Sequence, residues 1–346
     1  MSKRILNIVG HDILEYNRIS LFNELGFSVF TTGVYTDPSK PDSTKPYLPK
    51  NQYTAEKELL EEFYSLNPSG YIYGQGRLNL SKEFINKFDV ILASWICEPL
   101  VENWNLLKDK IVLYESLGQS DGHRETYLSE LRKRGVKVIR MSEGENYFPN
   151  YAGADATIDL EVDTDYYQGW QGAEQSIFTV NSALWQRKHL SNADMYLEIT
   201  RGLPIKLYGS HNETLKADFC YGKPSTREEI LEQYQKCRVY FSLGTRPCPV
   251  VLSFKEAMSV GCPVITWGPT FGGSTFTAHT FIENGVSGFY SDSPDKLRAF
   301  CQLLLKDYDL AKTISKNARK VAEKNFSKHV IKGQWREFFK NLGISL

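Results

Sequence analysis

One stretch of the chain, Phe254-Lys255-Glu256-Ala257-Met258-Ser259-Val260-Gly261-Cys262-Pro263-Val264-Ile265, decides how the second half is interpreted. Helix-forming residues run as far as Gly261, and glycine is the residue most often found just past a helix end. The apolar run that follows is typical of a buried strand. The stretch therefore predicts a helix near 254–260, closed by Gly261, that leads into a strand over Pro263–Thr266.

The same alternation extends on both sides of that stretch. Other short apolar runs predict strands, and amphipathic runs between them predict helices. The strands are expected at Ile177–Val180, Ile205–Tyr208, Val239–Leu243 and Gly288–Tyr290, and the helices near 191–201, 226–236, 295–306, 309–323 and 328–341.

The first half of the chain is organised in the same way. Its strands are expected at Ile5–Val9, Phe27–Val34, Val90–Trp95, Ile111–Tyr114 and Val136–Ile139, its helices over 13–25, 54–65 and 123–134, and a loop over 36–52.

Strands that alternate with helices predict a parallel sheet with helices on both faces. We therefore expect an α/β protein of two doubly wound, Rossmann-like units, joined near 161–175. Ligands of such sheets bind beyond the carboxyl ends of the strands, so a site is expected in a cleft where the two units face each other.

Composition excludes several classes of protein. The 346 residues carry 41 Lys+Arg and 41 Asp+Glu, so the chain lacks the basic surplus of a protein that grips nucleic acid by its phosphates. The mean hydropathy is -0.38, and no apolar run approaches the length of a membrane span. We expect no signal peptide. The six cysteines form no CxxC pair, which argues against zinc and favours reduced thiols in a cytoplasmic protein.

The stretch 254–265 resembles the EAM-x-x-G-x-PVI signature of the retaining, nucleotide-sugar-dependent glycosyltransferases of the GT-B fold, family 4. Other segments resemble further motifs of that family, in the same order along the chain. They are Val162–Tyr167, Phe219–Gly222 with Glu228–Ile230, Gly272-Gly273, Glu283–Phe289, Asn317-Ala318-Arg319 and Phe326-Ser327. The resemblance covers about 160–328, while the first 150 residues match only in strand pattern.

The resemblance implies a division of labour between two domains. Residues 1–165, with the C-terminal helix 328–346, would bind the acceptor, and residues 171–327 would bind the donor. The implied reaction moves a sugar from a UDP- or GDP-linked donor to an acceptor hydroxyl with retained configuration, without a metal or other cofactor. The acceptor would be a glycan or a lipid-linked molecule, which leaves open peripheral contact with the inner membrane. A monomer and a homodimer both remain open.

A nucleotide-sugar donor needs positive charge beside its phosphates, because negative charge builds up on the leaving phosphate in the transition state. Family members commonly supply an arginine and a lysine from the loop after the first strand of the donor domain. In this chain Asn181-Ser182 replaces the usual arginine, and Arg187 and Lys188 are the available cations. We expect at least one of them to contact the diphosphate. The alternative is a solvated pair at the start of a helix.

Glu256 has two interpretations. The family places this carboxylate near the donor ribose, but Ser253 and Glu256 also have the spacing of a capping box. The family's other acidic residue, eight positions earlier, corresponds to Cys248, so the donor sugar stays open. Arg246 and Cys248 would line the pocket, with Cys248 as a small buried thiol.

Further donor contacts are expected from two segments. Gly272-Gly273-Ser274 could turn backbone N–H groups toward a phosphate or sugar hydroxyl, although a flexible loop tip is the alternative. Tyr221 could stack on the nucleobase or lie at the strand end with its hydroxyl in water.

Acceptor contacts are expected in the first half, after the strands. The candidates are Gly10, His11, Glu98 and His123. Gly10 would allow close approach of a ligand to the backbone. The alternative for the three side chains is an ordinary solvated surface.

Asp163-Thr164-Asp165 has the pattern that binds a metal-bound diphosphate in the other common glycosyltransferase fold. It fits the interdomain motif better, so no metal site is expected. Three other functions stay open: an inactive nucleotide-sugar-binding module, a different GT-B activity such as epimerisation or inverting transfer, and a phage-type glucosyltransferase acting on DNA bases, which the neutral charge disfavours.

Overall fold

A computed structural model of the chain describes residues 2–35, 55–71, 76–273 and 275–346. The whole of the expected loop 36–52, and Ser274, lie outside the described residues. The chain forms two compact units. Unit 1 comprises Met1–Met141, Phe148–Asp159 and Lys332–Leu346, and unit 2 comprises Ser142–Tyr147 and Leu160–Ile331.

Unit 1 contains a sheet of six parallel strands in the order β2-β1-β3-β4-β5-β6. The strands are β1 (Arg4–Val9), β2 (Ser28–Thr31), β3 (Val90–Ser94), β4 (Ile111–Glu115), β5 (Lys137–Arg140) and β6 (Ala156–Thr157). The helices are α1 (Asp12–Glu24), α2 (Lys57–Leu66), α3 (Lys82–Asn86), α4 (Glu98–Glu102), α5 (Trp104–Leu107) and α6 (Gly122–Lys133).

Unit 2 contains a second parallel sheet, in the order β12-β11-β10-β7-β8-β9. Its strands are β7 (Glu174–Val180), β8 (Ile205–Tyr208), β9 (Cys220–Gly222), β10 (Cys237–Phe241), β11 (Val264–Trp267) and β12 (Phe289–Ser291). Its helices are α7 (Lys188–Ser191), α8 (Ala193–Thr200), α9 (Arg227–Lys236), α10 (Leu252–Val260), α11 (Pro269–Gly272), α12 (Pro294–Lys306) and α13 (Tyr308–Asn325). Helix α14 (Lys328–Asn341) follows and belongs to unit 1 from Lys332 onward.

The strand orders create one switch point in each sheet. In unit 1 the chain goes from β1 outward to β2 and then returns to the other side of β1 with β3. In unit 2 it goes from β7 to β8 and β9 and returns beside β7 with β10. At a switch point the loops that follow the two strands diverge and leave a crevice at the carboxyl edge, where ligands of doubly wound sheets bind.

The apolar runs predicted the central strands well, because those strands are buried throughout. All residues of β3, β10 and β11 are buried. The edge strands β6 and β9 were not predicted, since two or three residues give no periodic signal. The helical run expected over 191–201 is two helices, interrupted at Asn192, whose φ is +55°.

Two expectations about helix starts had different outcomes. Ser225 and Thr226 are followed three residues later by Glu228 and Glu229, a pattern that predicts a capping box before α9. The structure confirms it, because Thr226 Oγ1 accepts from the Glu229 N–H at 3.1 Å and Glu229 Oε2 accepts from the Ser225 N–H at 2.7 Å. The prediction of a capping box between Ser253 and Glu256 is wrong. Helix α10 begins one residue before Ser253, at Leu252, so Ser253 does not hold the capping position.

A buried ion pair ties α1 to the centre of the sheet in unit 1. The Arg18 and Glu115 side chains are both fully buried, and Arg18 Nε lies 2.9 Å from each Glu115 carboxylate oxygen. The Arg18 guanidinium also lies 5.2 Å from the ring centroid of Trp335 on α14. Trp335 is itself fully buried against Phe22 and Phe339. No helix within the described residues is long and apolar enough to cross a bilayer.

Substitution Glu115→Ala should destabilise the protein strongly, because it leaves the buried Arg18 charge without its carboxylate. We expect the free energy of unfolding to fall by about 3–5 kcal/mol. Urea denaturation followed by circular dichroism measures the change. The control, Glu337→Ala on the exposed face of α14, should stay within about 0.5 kcal/mol of the parent. Equal changes in the free energy of unfolding for the two substitutions would show that the Arg18–Glu115 ion pair does not stabilise the protein.

Candidate functional site

The switch point of unit 2 brings two loops together at the carboxyl edge of the sheet. One follows β7 and carries Asn181, Arg187 and Lys188, and the other follows β10 and carries Arg246. The Arg246 N–H donates to the Leu190 carbonyl, in α7, at 2.9 Å. Because α7 begins at Lys188, this bond holds the β10 loop beside the predicted cations.

The loop after β7 is fixed by a buried asparagine of the loop after β8. Asn212 is fully buried, and its Oδ1 accepts from the Leu184 N–H at 2.9 Å. Its Nδ2 donates to the carbonyls of Asn181, at 2.7 Å, and Gly209, at 3.1 Å. Gly209 has φ +136°, and a Cβ there would lie 2.3 Å from the Asn181 carbonyl oxygen. The loop thus has one defined shape.

The three cations of these loops are exposed. The Arg187 guanidinium folds back to the Ser182 carbonyl at 2.5 Å, beside the start of its own loop. Lys188 Nζ lies 5.0 Å from the ring centroid of Trp185. The Oδ1 of Asn181 is buried and has no hydrogen-bond partner among the described residues. The loop therefore offers exposed positive charge together with an acceptor that a ligand hydroxyl could satisfy.

The β10 loop also holds the loop after β11, which contains the glycine pair. Arg246 donates from its guanidinium to the Phe271 carbonyl at 2.5 Å, and the Phe271 N–H donates to Asp292 Oδ1 at 2.9 Å. Gly273 has φ +77°, and a Cβ there would meet nothing within 4 Å. Gly273 of the predicted glycine pair therefore borders open space, and Arg246 and Asp292 hold Phe271, the residue before the pair.

The predicted aromatic contact, Tyr221, lies on β9, the edge strand of the same sheet. Tyr221 on β9 is 52% exposed, and its ring stacks on Tyr208 with centroids 5.2 Å apart and planes at 7°. Burial raises the pKa of the Tyr208 hydroxyl to about 12. The outer face of Tyr221 is a flat, uncharged platform backed by a second ring.

Glu256 lies on α10 between two buried phenols. Its Oε1 accepts from the Tyr167 hydroxyl at 2.9 Å and its Oε2 from the Tyr234 hydroxyl at 3.1 Å. Burial, and then the Glu256 charge, raise the pKa of both tyrosines well above the usual value, so both remain donors. Ser253 is held similarly, because Tyr240 donates to its Oγ at 2.7 Å. The carboxylate is thus fixed in orientation by side chains from distant segments.

Cys248 is buried, as predicted, with its thiol 3.4 Å from the Val250 carbonyl. A small buried thiol therefore occupies the position that the family resemblance assigns to an acid.

The acceptor candidates Gly10 and His11 lie at the switch point of unit 1. The Gly10 N–H donates to the Ser94 carbonyl at 3.1 Å, and a Cβ at Gly10 would lie 2.6 Å from the Ile96 side chain. His11 caps α1 by accepting from the Ile13 N–H at 3.2 Å. Its ring meets Trp95 edge-on, with centroids 6.3 Å apart. The backbone of Gly10 packs closely against Ser94 and Ile96, at the end of β3, and this leaves no room for a side chain at position 10.

The other two acceptor candidates, Glu98 and His123, line one pocket of ≈ 230 Å³ in unit 1. Glu98 opens α4 and accepts from the Cys97 N–H at 3.0 Å. His123 lies in the first turn of α6, with its ring edge-on to that of Tyr127 and the ring centroids 4.8 Å apart. The sequence placed each of them after a strand, and the structure brings them to the same pocket.

The described residues contain no group of three or more His, Cys, Asp or Glu side chains arranged to hold a metal ion. Asp163 instead accepts from the Tyr166 N–H at 3.0 Å, in a turn.

Several residues that shape the site escaped sequence reasoning. Asn212, Asp292 and Tyr234 were not singled out at all, and Tyr167 and Arg319 were named only as members of motifs, with no role assigned. Arg319, within the predicted motif, donates to the carbonyls of Thr164 at 2.8 Å and Tyr167 at 2.6 Å. It thereby fixes the segment from which Tyr167 reaches Glu256.

The fold is similar to that of several solved glycosyltransferases. A glycosyltransferase from Rickettsia africae has a TM-score of 0.67 and 16% identity, with 99% of this chain and 98% of that chain covered. HepE from Anabaena, solved with UDP-glucose, has a TM-score of 0.68 and 16% identity, with 98% and 99% covered. Sucrose-phosphate synthase from Thermosynechococcus elongatus has a TM-score of 0.65 and 16% identity, with the same coverage.

No protein-family model matches the chain, and no curated protein matches it significantly in sequence. The structural similarity, together with the two parallel six-stranded sheets, shows that the chain has an α/β fold of the GT-B type, as predicted.

Substitution Asn212→Ala should loosen the loop that carries the cations, because it leaves the Leu184 N–H and two carbonyls unsatisfied. We expect a loss of about 1–3 kcal/mol in the free energy of unfolding. The Leu184 amide should also exchange its hydrogen faster, as measured by NMR or mass spectrometry. Asn341→Ala, at an exposed helix end, is the control. Unchanged exchange at Leu184 would show that Asn212 does not hold the loop.

Proposed function

We propose that the chain is a glycosyltransferase that moves a sugar from a nucleotide diphosphate sugar to an acceptor hydroxyl. The observation that carries the proposal is that the two loops bearing the exposed cations Arg187, Lys188 and Arg246 are joined beside the switch point between β7 and β10. A diphosphate needs fixed positive charge, and this edge is where doubly wound sheets bind ligands. The UDP-glucose complex of HepE, which has a similar fold, supports the same class of donor.

The cations would act on the leaving group. As the bond to the sugar breaks, negative charge grows on the diphosphate, and cations already in place lower the barrier without reorganisation of solvent. Arg246 suits a bidentate contact with a phosphate, whereas Lys188 supplies a compact point charge. The open backbone at Gly272-Gly273 would lie against the phosphate or sugar.

Two further groups would hold the nucleoside. The outer face of Tyr221 would stack on the base of a UDP- or GDP-linked donor, since stacking tolerates either base. Glu256, oriented by Tyr167 and Tyr234, would accept hydrogen bonds from ribose hydroxyls. Arg246, Cys248, Ser253 and the buried Oδ1 of Asn181 would line the rest of the pocket.

The proposal includes retention of configuration, which rests on the resemblance of the motifs. Buried Cys248 offers no carboxylate to act as a nucleophile, and a front-face route in which the leaving phosphate accepts the acceptor's proton needs none. The proposal also includes independence from metal ions and from any cofactor other than the nucleotide-sugar co-substrate.

We assign the donor to residues 171–327, and the acceptor to residues 1–165 with the C-terminal helix 328–346. The reaction would belong to glycan, polysaccharide or glycolipid synthesis in the cytoplasm or at the inner membrane.

Substitution Arg246→Ala should weaken binding of a nucleotide diphosphate sugar by about 10–100-fold, the loss expected for one or two charge-assisted hydrogen bonds. Arg187→Ala and Lys188→Ala should also weaken it. A panel of UDP-, GDP- and ADP-linked sugars, screened by thermal shift, selects the donor, and calorimetry then measures its affinity. Arg201→Ala, an exposed arginine in a turn before β8, is the control. The proposal fails if no donor in the panel binds, or if all four variants bind it equally.

Substitution Tyr221→Ala should remove the contact with the base and leave the phosphate contacts intact. We expect the affinity for UDP or GDP to fall by about 1–3 kcal/mol, the usual value of base stacking. The affinity for inorganic pyrophosphate should not change, which makes pyrophosphate the internal control in the same calorimetric titration. A similar loss for nucleotide and pyrophosphate would mean that Tyr221 acts on the fold of the site rather than on the base.

A further inference from the structure

We infer that unit 1 binds its acceptor in an extended groove, with two adjoining positions that meet at Glu102, and that the acceptor is an oligosaccharide without acidic groups. The inference rests on the proposed function, because it names the second substrate of that reaction.

The first position is the pocket between α4 and α6. It measures ≈ 230 Å³ and is lined by Cys97, Glu98, Val101, Glu102, His123 and Tyr127. Tyr127 is 43% exposed, so a partly exposed aromatic ring borders the pocket. Sites for drug-sized ligands are commonly about 300–1,000 Å³, so this pocket suits a single sugar ring.

The second position is a hollow of ≈ 380 Å³ on the other side of Glu102. Its polar lining comes from Arg77, Asn79, Asn105 and Glu102, and Leu106 contributes an apolar patch. Glu102 lines both positions, so the two adjoin at this side chain. Glu98 and Glu102 are four residues apart on α4, so about 6 Å separates them along the helix axis, a spacing suited to consecutive rings of a chain.

The chemistry of the lining fits sugar hydroxyls. Carboxylates accept hydrogen bonds from hydroxyl groups, and carboxamides both donate and accept. The buried Asn103 donates to the Leu78 and Pro99 carbonyls, at 3.2 Å and 3.0 Å, and so holds the floor of the groove rigid. A groove that combines hydroxyl acceptors, amides and an aromatic face is suited to a neutral carbohydrate.

The charge of the groove makes binding of an acidic acceptor unfavourable. Two carboxylates, Glu98 and Glu102, line the described part of it, against one guanidinium. That guanidinium belongs to Arg77 and lies 3.8 Å from Glu102. No lysine is among these lining residues. A phosphate or uronate would therefore meet more negative than positive charge along the described lining, which disfavours its binding.

The thiol of Cys97 does not alter this conclusion. Burial, and then the neighbouring Glu98 carboxylate, raise the pKa of Cys97 to about 12, so the thiol stays protonated. It is a small apolar wall of the first position rather than a nucleophile or a negative charge.

Calorimetry on the full chain tests the inference. The probes are neutral tetrasaccharides (maltotetraose, cellotetraose and mannotetraose), their disaccharides, and tetragalacturonate as the acidic counterpart. We expect at least one neutral tetrasaccharide to bind, at least tenfold more tightly than its disaccharide, and tetragalacturonate not to bind. Asn105→Ala, in the second position, should bring the ratio of tetrasaccharide to disaccharide affinity toward one. Tyr127→Ala, in the first position, should weaken both, and Asn341→Ala should change neither.

Three results would overturn the inference: no neutral probe binds, tetragalacturonate binds more tightly than its neutral counterparts, or Asn105→Ala leaves the ratio unchanged. Thermal shift with UDP- and GDP-linked sugars on the same samples separates this failure from that of the proposed function. A chain that binds a nucleotide sugar but fails these tests is still a candidate glycosyltransferase with a different acceptor. A chain that binds no nucleotide sugar loses the proposed function itself.

Discussion

Parallel strands all end at the same edge of their sheet, and this constraint determines where chemistry can occur in the protein. Each of the two sheets has a single switch point, between β1 and β3 in unit 1 and between β7 and β10 in unit 2. The loops that follow these strands diverge and leave room for a ligand. Most of the residues with a proposed role, from Gly10 in the first unit to Arg246 in the second, lie on such loops or on the helices they lead into.

Loops at such an edge need support, because their backbone groups cannot pair with neighbouring strands. In unit 2 the support comes from long-range side-chain contacts. Asn212 joins the loops after β7 and β8, and Arg246 and Asp292 hold opposite sides of Phe271. Arg319 fixes the carbonyl of Tyr167, whose hydroxyl in turn orients Glu256. Asn212, Asp292 and Arg319 thus hold the shape of the site, and none of them has a proposed contact with a substrate.

The sequence was sufficient for the central strands and for the loops that bear cations, because buried strands are continuous apolar runs and loops follow them in order. Contacts between distant segments could not be predicted. The spacing of Ser253 and Glu256 fits a capping box, yet α10 starts one residue before Ser253 and Glu256 binds two tyrosines far away in sequence. Glu98 and His123 were predicted separately, and only the structure shows that these residues of α4 and α6 line one pocket.

In the proposed function, the cationic loops at the switch point of unit 2 hold a nucleotide by its diphosphate. A crystal structure of the chain soaked with UDP tests it most directly, with GDP as the second ligand. The account predicts a diphosphate within hydrogen-bonding distance of Arg246 and of Arg187 or Lys188, with the base against Tyr221. A nucleotide bound elsewhere, or one at that edge that none of the three cations contacts, would contradict it.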